Sequence, residues 1–243
     1  MPNTILVQEK TNVATLYNCR SVAEQNSVDL AWGLFMQDDY ADLRMTICPT
    51  KEDFHRFRQL VVNQTLATDI MDKDLKNLRN QRWEKAFHPT EELQEDRTTV
   101  RNRKATIVLE HLIQASDVAH TMQHWHIYRK WNECLFNEMT TAFLEGRSYQ
   151  DPAEFWYKGE LGFFDYYIIP LAKKLKECGV FGVSSDEYLA YALKNRDEWA
   201  ARGQALVEEM CEKRAVCGSP EVSDLRQAMM EMKKGRSAEK VHI

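Results

Sequence analysis

Between positions 114 and 126 the chain reads Gln-Ala-Ser-Asp-Val-Ala-His-Thr-Met-Gln-His-Trp-His. Asp117, His120, His124 and His126 are all potential metal ligands in that stretch. Carboxylate oxygen and imidazole nitrogen are ordinary ligands for zinc and other divalent cations. Asp117, His120 and His124 stand at i, i+3 and i+7, so a continuous helix would carry them on one face. The same spacing suits a solvated helix face rich in histidine, and residue type alone leaves both readings open.

Helices are what the rest of the chain offers to position such groups. Helix-period apolar spacing recurs throughout, and no long alternating strand pattern competes with it. Val108, Leu112, Ala115, Val118 and Met122 form one stripe over about 100–122. Tyr128, Trp131, Leu135, Met139 and Ala142 form another, and Phe164, Ile168, Leu171 and Leu175 a third. Pro170 falls inside the third and is expected to kink its helix. Ser21 to Glu24 has the form of a capping box ahead of Val28 to Trp32. Thr50 to Asp53 stands similarly before Phe54, Phe57 and Val61. Asp151-Pro152 suits a helix start, and Ser184 to Glu187 opens a helix expected to reach about 215. The polar stretch 88–99 reads as a loop. Beyond Gly218-Ser219-Pro220 the chain is charged and poor in large apolar residues, which predicts a mobile tail. The fold class is therefore all-α, with a domain over 1–217 and a tail over 218–243.

Composition narrows the function classes. Apolar residues make up 44% and charged residues 28%, the balance of a soluble globular protein. Only 9 Gly and 6 Pro interrupt the chain, which favours helices. A net charge of −5 argues against nucleic acid as a main partner. No apolar run approaches the ~20 residues of a membrane span. The N-terminal MPNTILVQEK lacks the basic and apolar regions of a signal peptide. The 6 Cys have neither disulfide nor zinc spacing, so a reducing, cytoplasmic setting is expected.

Four ordered blocks carry a resemblance. Tyr17-Asn18-Cys19-Arg20-Ser21-Val22-Ala23-Glu24 is similar to Y-N-D-x-S-V-L-E, and Leu66-Ala67-Thr68-Asp69 to L-A-T-D. Ala115-Ser116-Asp117 with Tyr128 to Trp131 is similar to H-C-A-D-L-x-N-P … Y-x-x-W. Glu160 to Leu171 resembles Q-x-G-F-I-D-x-x-x-x-P-L. Together they resemble the catalytic domain of class I 3′,5′-cyclic-nucleotide phosphodiesterases over about residues 3–180. The resemblance implies a compact multi-helix bundle of the HD superfamily. It also implies metal-dependent hydrolysis of cyclic GMP and/or cyclic AMP to the 5′-monophosphate in signal transduction. Residue by residue, Asp117 matches a metal ligand, and Glu24 and Thr68 match groups that hold metal-bound water. Glu160 stands at the purine-reading Gln, Phe163 at the aromatic that stacks on the base, and Leu135 across the base from it. His120 stands where the family commonly has Asn near the base or ribose.

Two departures matter. The resemblance implies two divalent cations, zinc with magnesium or manganese. Yet nothing here resembles the upstream H-N-x-x-H and H-D motifs, and the first histidine is His55. Of the family's ligand set only Asp117 is present, and one carboxylate cannot fix two cations. The histidine that protonates the leaving oxygen is missing too, and general acid catalysis is worth about 10²–10⁴-fold. The chain is expected to begin beyond those motifs, to be inactive alone and not to retain the metals by itself. Its uncovered apolar faces would be met by a missing N-terminal segment or a second copy. A non-catalytic module that binds a nucleotide or a partner is the alternative. The second departure is Glu160: an amide donates and accepts, whereas a carboxylate only accepts. Guanine offers two N–H donors on one edge, so a preference for cyclic GMP is expected.

Overall fold

Local chemistry starts most of the helices in the computed structural model, which describes residues 3–89 and 96–217. The expected tail from 218, and residues 90–95 of the expected loop, lie outside those residues. Among the described residues all regular structure is helical. Thr50 accepts a hydrogen bond from the Asp53 N–H, as its sequence context predicts, and opens a helix at Lys51–Ala67. Asp72 accepts from the Asp74 and Leu75 N–H groups, and Asp96 from that of Thr99. These side chains satisfy backbone donors that have no partner within the helix.

The chain divides into two compact units. Among the described residues the first holds 3–89, 96–119 and 174–182, and the second 120–173 and 183–217. In the first unit the helices are α1 (Asn3–Gln8), α2 (Asn12–Leu16), α3 (Val22–Phe35), α4 (Ala41–Ile47), α5 (Lys51–Ala67), α6 (Lys73–Phe87) and α7 (Arg97–Asp117). α5 packs against α3 and α7, and α6 against α7. Trp32 of α3 meets Phe54 and Phe57 of α5 at ring separations of 5.3 and 6.2 Å. Trp83 of α6 stacks on Phe87 at 4.2 Å and packs against the His111 ring of α7 at 4.6 Å, over the buried Ile107. α3 and α4 leave Leu30, Leu34, Leu43, Met45 and Ile47 exposed.

The second unit is built from α8 (Trp125–Leu144), α9 (Trp156–Phe163) and α11 (Ser185–Cys217), with the start of α10 (Ile169–Cys178). Asp151 accepts from the Ala153 N–H, but it caps a 3-10 turn, Pro152–Glu154, rather than α9 itself. Trp199 of α11 is buried and its indole N–H donates to the Tyr157 carbonyl at 3.1 Å. Gly203 lets that ring lie against the backbone, since a Cβ there would come within 2.7 Å of it.

Three local expectations are corrected. Pro170 does not simply kink a helix. A π-turn, Phe164–Ile168, precedes it, and the Ile169 N–H reaches back to the Phe164 carbonyl. The widened turn accommodates the missing N–H and the ring. Phe164, Ile168, Leu171 and Leu175 are all buried, as their spacing predicts. The α8 stripe is rotated by one residue: Tyr128, Asn132, Phe136, Thr140 and Phe143 face inward, while Trp131 and Leu135 are exposed. Finally, α7 stops at Asp117, a 3-10 turn covers Ala119–Met122, and His124 is the residue before α8. Asp117, His120 and His124 therefore do not share one helical face.

Candidate functional site

The first unit gathers polar side chains where α3 begins and α5 ends. Ser21 precedes α3 with φ of 38°, in the left-handed region, whereas a capping serine needs extended backbone. The expected capping box does not form. Ser21 donates its hydroxyl proton to Asp69 Oδ2 at 2.7 Å. The cap comes from afar: Asn3 Oδ1 accepts the Ala23 N–H at 2.8 Å. The amide Nδ2 of Asn3 donates to Glu24 Oε2 at 2.8 Å and, more weakly, to Asp69 Oδ2 at 3.3 Å. One amide thus fixes the start of α3 and binds Glu24 to Asp69. Asp69 is buried, and its other oxygen accepts the Met71 and Asp72 N–H groups. These bonds offset the 1–3 kcal/mol that a left-handed serine costs, as an order of magnitude.

Thr68 ends α5 and donates its hydroxyl to the Thr65 carbonyl at 2.8 Å, so its oxygen remains available as an acceptor. One turn before the end of α7, Gln114 donates to the Ala67 carbonyl at 2.9 Å. That bond ties the end of α7, where Asp117 stands, to the end of α5, where Thr68 stands. Asp117 is exposed, and partial burial by itself pushes its carboxyl above the usual range. Among the described residues no group of three or more His, Cys, Asp or Glu side chains is placed to hold a metal ion. The described residues do not fit a two-cation centre.

In the second unit Glu160 is half-buried on α9. Tyr128 donates to its Oε2 at 2.7 Å. Asn132 Nδ2 donates to the Tyr128 oxygen at 3.4 Å, and the Trp156 indole N–H donates to Asn132 Oδ1 at 3.1 Å. Burial raises the Glu160 carboxyl, while the Tyr128 and Asn132 side chains work against that rise. Phe163 lies one turn beyond Glu160 on α9 and stacks on Tyr167 at 5.4 Å with 18° between the planes. Asp165 takes both arms of Arg196, at 2.9 and 3.1 Å. That pair accounts for the carboxylate. His120 is half-buried, with its pKa lowered by burial, and lies 6.4 Å from the Trp131 ring. His124 Nε2 is 3.1 Å from the Tyr191 hydroxyl. Leu135 is 46% exposed, available to a ligand or partner rather than consumed by the core.

A sequence profile described as 3′5′-cyclic nucleotide phosphodiesterase matches residues 1–179. The chain belongs to this family. The bovine dual specificity calcium/calmodulin-dependent 3′,5′-cyclic nucleotide phosphodiesterase 1B is 28% identical over 138 residues, 56% of this chain and 22% of the relative. The mouse 1C counterpart is 24% identical over the same share of this chain and 17% of its own length. The chain thus spans about a fifth of the curated relatives it matches. Among solved structures, the phosphodiesterase domain of the RhoPDE fusion protein from the choanoflagellate Salpingoeca rosetta has a TM-score of 0.65 at 19% identity, covering 87% of this chain and 65% of that one. A second structure of the rhodopsin phosphodiesterase domain from that organism gives 0.66 at 19% identity, covering 88% and 64%. These likenesses carry the fold: an all-helical phosphodiesterase domain.

Reading residues in family blocks singles out Glu24, Thr68 and Glu160 as candidates, but not the side chains that bond to Glu24 and Glu160. Asn132 and Trp156 lie outside the family blocks, and nothing local marks Asn3 as the cap of α3. The available signal was a buried-face polar residue, Asn132, four positions after the core aromatic Tyr128. Trp156 and Glu160 repeat that spacing on α9.

Proposed function

We propose that the second unit binds the base of a 3′,5′-cyclic nucleotide, and that the chain is part of a phosphodiesterase catalytic domain. The observation that carries this reading is Glu160. It is a half-buried carboxylate held at 2.7 Å by Tyr128, one helical turn from Phe163. Such a group gives a purine edge a fixed hydrogen-bonding partner, and the aromatic face gives the ring a stacking surface. Leu135 and His120 are the remaining base- or ribose-side candidates. In the first unit Glu24 and Thr68 offer oxygen acceptors, and Asp117 offers one ligand for a divalent cation, zinc with magnesium or manganese. The described residues do not complete that ligand set, so hydrolysis by this chain alone is not expected.

A nucleotide-binding module without turnover is the reading favoured for the chain in isolation, because Glu160 is held in place by Tyr128 while the described residues assemble no metal-ligand group. A reducing, cytoplasmic setting is part of the proposal, supported by free thiols at Cys19, Cys48, Cys134, Cys178 and Cys211. Among the described residues no helix is long and apolar enough to cross a membrane.

Two measurements on the 243-residue chain test this reading. Cyclic GMP and cyclic AMP incubated with it and zinc, magnesium or manganese should yield no 5′-monophosphate above the protein-free rate. Metal-dependent turnover would overturn the expected inactivity. Equilibrium dialysis should show saturable binding of at least one of the two. No binding at ligand concentrations of about 1 mM, where even a contact worth about 4 kcal/mol would register, would overturn the nucleotide reading.

A further inference from the structure

The second half of α3 is apolar on two sides, and the first unit covers one of them. From Val28 to Met36 the only charged side chain is Asp29, which accepts from the Tyr17 hydroxyl at 2.8 Å. Val28 is buried, and Trp32 and Phe35 meet the rings of α5, Phe35 lying 5.6 Å from Phe57. With 3.6 residues per turn, Leu30, Gly33 and Leu34 fall on the opposite side. Leu30 and Leu34 are 67% and 50% exposed. A helix that is apolar all round belongs inside packed structure.

Gly33 lies between those leucines in mid-helix, where glycine is less favourable than alanine. Among the described residues nothing asks for it. Its φ is not positive, and a Cβ there would meet no atom within 4 Å. What a glycine between two leucines on an open helix face does provide is close approach, because a second helix can lay its backbone where a side chain would stand.

The open face continues past α3. Arg44 donates from Nη1 to the Phe35 and Gln37 carbonyls, both at 2.6 Å, and so holds α4 to the end of α3. α4 leaves Leu43, Met45 and Ile47 in solvent, and Met36 is exposed just past α3. With Leu30 and Leu34, these side chains are 43–69% exposed and leave roughly 600 Å² of largely apolar surface open, the upper end of what a monomer shows. A stable interface takes about 800 Å² from each partner, and between identical chains about 65% of it is apolar, or about 500 Å².

We infer that α3 and α4 form a homodimer interface, in which a second copy of this chain packs its own α3 across Gly33. Size and symmetry name the occupant. The open apolar area is what identical partners need, and a two-fold axis is the commonest way to close such a pair. With that axis at the crossing of the two α3 helices, the two Gly33 backbones lie against each other and Leu30 and Leu34 of each copy flank the contact. One glycine then serves both sides.

Sedimentation equilibrium of the full chain from about 1 to 100 μM tests this, with twice the monomer mass expected above about 10 μM. Leu34→Glu and Met45→Glu each set a charge in the face without entering the core, and each should weaken self-association at least about tenfold. Gly33→Leu reads the crossing itself. The monomer has room for the side chain, so helix content by circular dichroism should hold, while the dimer should again weaken at least about tenfold. A monomer at every concentration would overturn the inference and leave the face to a segment of different sequence. A polydisperse series beyond the dimer would overturn the two-fold packing. A dimer that survives all three substitutions would place the contact elsewhere and overturn the inference as well.

Discussion

Acidification from pH 7 to pH 5 should remove about 2 kcal/mol of stability through His111 alone. The ring is 3% exposed, wedged against Trp83, and its Nδ1 is 2.7 Å from the Ile107 carbonyl, so Nδ1 carries the proton in the neutral form. Burial is the main reason its pKa falls from 6.5 to about 4, and Lys174, Arg79 and Arg82 add to the fall, against the Ile107 bond. Because the folded value lies below the unfolded one, the stability is complete above about 6.5 and is lost as the pH falls toward 4. At about 1.4 kcal/mol per pKa unit, the whole effect is about 3 kcal/mol. Roughly 2 kcal/mol of it is spent by pH 5, where the unfolded imidazole is protonated and the folded one is not. The neighbouring Glu110 has the opposite sign. Burial raises its carboxyl against the pull of Arg82 at 2.9 Å, so acid relieves a penalty there. Urea unfolding of the parent and of His111→Gln at pH 7, 6 and 5 separates the two, since only the His111 contribution differs. The parent should lose about 2 kcal/mol more than the variant over that range. Equal losses in the two proteins, or an imidazole that titrates near 6.5 by NMR, would refute the reasoning.

Asn3→Ala removes the cap on Ala23 and the donor to Glu24, and should cost about 1–2 kcal/mol in urea unfolding. Asn3→Asp keeps the cap oxygen but sets a third carboxylate against Glu24 and Asp69, so it should destabilise more at pH 7 than at pH 4. An equal effect at both pH values would remove the electrostatic argument. Gly203→Ala gains about 1 kcal/mol in helix propensity, but its Cβ meets the Trp199 indole at 2.7 Å. Overpacking of a buried ring costs about 1–3 kcal/mol, so the melting temperature should fall. A rise would show that the ring moves freely.

Helix content and several helix starts were legible because their causes are local. Thr50 meets an N–H three residues away, and the stripe from Phe164 to Leu175 buries itself wherever a helix is packed on that side. The stripe on α8 was misread by one position because Asn132 and Thr140 are polar. Thr140 resolves its own hydroxyl by donating to the Phe136 carbonyl at 2.7 Å, and Asn132 resolves its amide across to α9. Spacing suggested a ladder of Asp117, His120 and His124, but it could not show that the helix ends at Asp117.

What the sequence by itself determined is the all-α class, the family and the identity of Glu24, Thr68, Asp117 and Glu160 as candidate site residues. Those conclusions rest on residue type, short spacing and ordered blocks, which are all written along one dimension. Tertiary structure alone decided that Asn3 caps α3 in place of Ser21, and that Tyr128 donates to Glu160. Such hydrogen bonds join residues 20 to 32 positions apart. Their geometry depends on how helices pack, and packing leaves no local mark on the chain.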